Sequence, residues 1–175
     1  MNIFRHRHGI IAGLPALIAL LITVAGCSSA DDSATVAVPS PDAKTAKLCR
    51  NLHKVLPRKV DGRSRNDPEP RSALTAGWGS PAIILRCGVE RPPKMVDPEV
   101  AQGTDPDAVG GGVNGVDWLM EKQDDGTYRF TTAKRAAYVQ VTLPKPVPEQ
   151  DSATVLVDLA AAIKKAIPRG IASTT

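Results

Sequence analysis

The chain has 175 residues, 42% of them apolar and 3% aromatic, with a formal charge of +4. That length suits one ordinary domain. Two Trp, two Tyr and two Phe are too few to stack a run of nucleic-acid bases or sugars, and 22 basic against 18 acidic side chains are too even for an electrostatic nucleic-acid binder.

The apolar content is unevenly spread. No charge occurs between residues 9 and 30, and residues 10–25 are almost wholly apolar. Arg5 and Arg7 precede this run, so residues 1–26 read as a signal peptide. Its end, Val24-Ala25-Gly26-Cys27, resembles a bacterial lipobox, a branched aliphatic and two small residues before a Cys. The resemblance implies a diacylglyceryl thioether on Cys27 and cleavage just before it. Lipid chains, at about 0.8 kcal/mol per buried CH₂, would then hold the protein at the extracytoplasmic face of the membrane. The competing reading is an uncleaved transmembrane helix, because the uncharged run is long enough to span a bilayer. Pro15 interrupts it. Loss of Arg5 and Arg7 with the signal leaves 20 basic and 18 acidic side chains, a net charge of +2. Residues 27–41 read as a lipidated Cys followed by a flexible tether, small, polar and punctuated by Pro.

Two cysteines remain, Cys49 and Cys87. In an exported protein the simplest reading is a bridge between them. A metal or catalytic thiol is the alternative. No C-x-x-C spacing and no His cluster supports a metal, and none is expected. His53 is the only histidine after the signal, one helical turn from Cys49.

Residues 42–170 are predicted to form a single α+β domain, with 171–175 a disordered tail. Asp42 can cap a helix running to about Leu56, with Leu48, Cys49, Leu52 and Val55 on its apolar side and Pro57 stopping it. Residues 57–73 read as a loop carrying Arg63, Arg65 and Arg71. Ala82–Cys87 is a strand that points Ile83, Leu85 and Cys87 to one face. Residues 91–115 read as a long Pro/Gly/Asp loop. Val116–Glu121 and Thr127–Thr131 pair across Asp124-Asp125-Gly126, and Ala137–Leu143 is a further strand. A last helix begins at a cap on Asp151 or Ser152 and stops at Pro168. The fold class expected is a small antiparallel sheet of about four strands with the N-terminal and C-terminal helices packed on one face.

Most motifs favour plain structural roles. Gly110–Gly115 matches G-x-G-x-x-G, but the strand before it and the helix after it are missing, so it reads as a flexible loop. Asp97, Glu99, Asp105, Asp107 and Asp117 lack calcium-loop spacing. Trp78 is either an exposed ligand-binding aromatic or the cover of one end of the core.

The run Leu74-Thr-Ala-Gly-Trp-Gly-Ser-Pro-Ala-Ile-Ile-Leu-Arg-Cys-Gly88 follows Cys49-x-x-Leu52-x-x-x-Leu56-Pro57 and Val60-Asp61-Gly62-x-x-Arg65. Together these resemble an uncharacterised family of actinobacterial secreted proteins, domain of unknown function 3515, over about residues 36–168. The resemblance implies an envelope location and supports the bridge between the two cysteines. It implies no activity, cofactor or site residue. The function expected is that of a lipid-anchored envelope protein that binds or scaffolds another envelope protein or cell-wall polymer, without nucleic acid or cofactor. Its expected contact surface is Arg63, Arg65, Arg71 and Trp78. The alternative is a hydrolase or transferase acting on cell-wall material, with His53 or the Asp105/Asp107 pair as acid and base.

Overall fold

The computed structural model describes residues 33–145 and 149–172. The first helix, α1 (Ala43–Val55), starts where Asp42 satisfies its free amides: one carboxylate oxygen accepts the Lys44 and Thr45 N–H groups at 2.8 and 3.1 Å. Leu56 turns extended at ψ 142°, as a residue before Pro must, and ends it.

Among the described residues, eight strands follow in two antiparallel sheets. β1 (Lys59–Val60) and β2 (Arg63–Ser64) form a small ribbon. The main sheet has six strands in the order β3-β4-β8-β7-β6-β5: β3 (Thr75–Trp78), β4 (Ile83–Cys87), β5 (Ala108–Val113), β6 (Val116–Lys122), β7 (Tyr128–Ala133) and β8 (Val139–Leu143). The expected count of four strands is therefore corrected to six, plus the ribbon. β3 escapes an alternation test because all four of its residues are buried. β5 escapes it because Gly110, Gly111 and Gly112 carry no side chain to alternate.

Asn114 and Gly115, with φ of +47° and +78°, make the two-residue hairpin turn that β5 and β6 need. The G-x-G-x-x-G run is thus an edge strand and a turn, not a flexible loop. The rest of the supposed 91–115 loop holds a 3₁₀ turn at Pro93–Val96 and a short helix, α2 (Pro98–Gln102). The last helix, α3 (Glu149–Ala166), begins before the expected caps, and Ser152 lies buried inside it.

One face of the sheet is apolar. Ile83, Leu85 and Cys87 of β4 and Val139, Val141 and Leu143 of β8 pack with Leu52 of α1 and Leu159 and Ile163 of α3 in one core. Cys49 and Cys87 are disulfide-bonded, with Cα atoms 5.5 Å apart, and fasten α1 to β4.

Alternation turns the remaining residues to the opposite face. The register aligns Arg86, Gln140, Thr131 and Leu119 in one row across β4, β8, β7 and β6. Ile84, Thr142, Arg129 and Glu121 form the next row. Topology then supplies walls. β4 lies inside one edge and β5 forms the other, so residues 88–107 must travel past β8, β7 and β6.

The second wall comes from the N-terminal side. Residues 33–41, expected to belong to a tether, run against the domain. Val36 N–H donates to Glu69 O and Glu69 N–H to Ala34 O, at 3.0 and 2.9 Å. Gly88, with φ +84° and no Cβ, leaves room for the Pro41 ring at the end of β4.

Candidate functional site

The surface expected to make contacts is internally satisfied. Trp78 is 0% exposed and donates its indole N–H to Pro57 O at 3.0 Å, so it is a core residue and not a surface contact. The Arg65 guanidinium lies 5.0 Å from the Trp78 ring centroid, pairs with Asp67, and sits 3.1 Å from His53 Nε2. Arg63 donates to Pro81 O at 3.1 Å and lies 3.7 Å from Asp61. Arg71 pairs with Glu69 at 3.3 Å, the two side chains 73% and 54% exposed, an interaction worth at most about 1 kcal/mol.

Of the residues of the enzymatic alternative, His53 and Asp105 are also engaged. Burial, then the neighbouring Arg65, holds His53 below the usual imidazole range, with Asp67 acting the other way. Asp105 is covered by Lys94, its side chain 1% exposed, and accepts the Asp107 N–H at 2.9 Å. Cys27 and residues 1–26, expected to form a signal, lie outside the described residues. No helix among the described residues is long and apolar enough to cross a membrane.

A pocket of about 650 Å³ sits instead on the polar face of the sheet. Residues 39–42 and 88–93 line it, and Arg86, Glu121, Arg129, Tyr138 and Gln140 project from four strands or their ends to form its polar floor. The size falls in the range of small-ligand sites, about 300–1,000 Å³.

The floor is poorly satisfied from within. Glu121 is 9% exposed, and its Oε2 is buried without a hydrogen-bond partner. Leaving a buried polar atom unmet costs about 1–3 kcal/mol, more when it is charged. Burial therefore holds this carboxyl above the usual range, opposed by Arg129 and Lys94. Arg129 is the register partner of Glu121 on β7, yet no ion pair of 4 Å or less joins them. Arg86 gives its Nε–H to Ala37 O at 3.0 Å and reaches Gln140 Oε1 only at 3.4 Å. Burial, then the like charge of Arg129, lowers its pKa from the usual arginine value. The Arg65 cluster is finished, whereas this floor holds charges of both signs that lack partners among the described residues.

Comparison with known families decides the kinship. The chain belongs to the DUF3515 family. The family model, described as a protein of unknown function, matches residues 10–171. No curated protein and no solved structure matches. The span matched to DUF3515 contains both disulfide-bonded cysteines, the Arg-rich segment and the whole polar floor.

Sequence reasoning missed that floor, although part of the signal was present. Once Ile83, Leu85 and Cys87 face inward, Arg86 faces out. Tyr138 and Gln140 obey the same rule on either side of Val139. What the DUF3515 sequence lacked was the strand order that sets β4 beside β8 and so gathers these outward residues.

Proposed function

We propose that this DUF3515 chain is a lipid-anchored protein of the extracytoplasmic membrane face, held through Cys27, whose α+β domain binds another envelope component in the pocket on its polar sheet face. The observation that carries this reading is the pocket floor, where Glu121 and Arg129 lie side by side with no partner among the described residues for Glu121 Oε2 or for the guanidinium. Binding is favoured over catalysis because the acid–base candidates His53, Asp105 and Asp107 lie outside this pocket, with His53 and Asp105 engaged by Arg65 and Lys94. The lipobox and the segment after it support the anchor, and residues 39–42 bring that segment directly to the pocket wall.

A photoreactive residue placed at Glu90, on the exposed rim, tests the site against one placed at Arg71. Adducts in intact cells are expected from position 90 and not from position 71. Adducts from 71 alone would overturn the assignment. Cys27→Ala tests the anchor: the acyl mass is expected to disappear and the protein to leave the membrane fraction. A variant that stays with membranes at unchanged mass would refute it.

A further inference from the structure

The pocket floor specifies its ligand more closely than a general binding site would, provided that the pocket is the site, on which the inference rests. We infer that it holds a zwitterionic amino-carboxylate, a short peptide whose ammonium meets Glu121 and whose carboxylate meets Arg129 and Arg86. Three unmet groups point to it. Glu121 Oε2 is an acceptor without a donor, more than nine-tenths of the residue being buried. Among the described residues, Arg129 has no hydrogen bond or ion pair. Arg86 has one well-formed bond, through Nε, which leaves most of its five donors unused.

Charge decides the class. A simple anion would satisfy the two guanidinium groups but would leave the buried Glu121 Oε2 without a donor. A simple cation would meet Glu121 and face Arg129 and Arg86, with Lys94 also acting on that carboxylate. Only a molecule with both signs satisfies all three. Spacing fits a peptide better than a single amino acid. β4 and β7 are separated by β8, so Arg86 and Arg129 rise from strands about 10 Å apart, whereas Glu121 and Arg129 rise from adjacent strands about 5 Å apart. Gln140, between the two arginine strands, offers an amide to a peptide bond, and Tyr138, just ahead of the same strand, adds a phenol.

Isothermal titration of the full chain in detergent tests this with five probes: trialanine, N-acetyl-trialanine, trialanine amide, alanine and inorganic phosphate. Trialanine is expected to bind best, with alanine weaker. Blocking either terminus should weaken trialanine about tenfold, the worth of one charge-assisted hydrogen bond. In Glu121→Gln the penalty for acetylation should vanish, in Arg129→Gln the penalty for amidation should vanish, and Arg71→Gln should change neither. Phosphate binding as tight as trialanine, or a trialanine affinity indifferent to both blocks, would overturn the zwitterion while leaving the pocket reading in place. No binding of any probe at millimolar concentration would also overturn it. Trialanine binding unmoved by Glu121→Gln and Arg129→Gln would overturn the pocket reading as well.

Discussion

Replacing both Cys49 and Cys87 with Ala removes the covalent link between α1 and the sheet. The bridge closes a loop of 38 positions, which in the chain-entropy model restrains the unfolded chain by about 4 kcal/mol. Both residues are 1% exposed, so Ala is a better replacement than Ser, which would bury two hydroxyls. At about 4 °C per kcal/mol for a domain of this size, the melting temperature should fall by about 15 °C. Thermal unfolding by circular dichroism, with the reduced wild-type chain alongside, measures it. The loss should fall on stability and leave the far-UV spectrum at low temperature unchanged. A double variant that melts within about 3 °C of the oxidised protein would refute the reasoning, because the loop would then be held closed by something other than the bridge.

Three further outcomes rest on particular contacts. Glu121→Gln should be more stable than wild type at neutral pH, measured by urea unfolding. Because burial raises the folded carboxyl above its unfolded value, the native state prefers the proton; the advantage of Gln should be small below the ordinary carboxylate range and grow as pH rises through the folded pKa. Arg129 and Lys94 reduce that advantage, and the contribution of His53 is common to both proteins. Arg135→Met should cost about 2 kcal/mol in the same assay, because the buried guanidinium donates to Ile167 O and Gly115 O, each at 3.0 Å, and Met leaves both carbonyls unmet. Gly77→Ala should cost about 1–3 kcal/mol, since a Cβ there would overlap the Asn66 carbonyl oxygen that lies against β3; a melting temperature equal to wild type would show that this seam yields freely.

Where a segment buries one face, its sequence reveals it. The α1 cap and apolar side, the inward set of β4 and the hairpin of β6 and β7 were all legible from periodicity. Segments buried on both faces or on neither were hidden, as β3 and β5 show. Trp78 drops out of the expected contact surface for a related reason. Clustered arginines suggest exposure, but the bridge pairing of Arg65 with Trp78 sets the guanidinium over a buried ring, with Asp67 and His53 as partners. Arg86, Glu121 and Arg129 come from three separate strands, and only the register brings them to one pocket.

Phenylglyoxal labelling of arginines, read by mass spectrometry in intact cells and on the purified full chain, tests the occupied pocket directly. Arg129 and Arg86 are predicted to label in the purified protein and to be protected in cells, while Arg71 labels equally in both. Protection of Arg71 with unchanged labelling of Arg129 and Arg86 would contradict the assignment of the polar sheet face as the binding site.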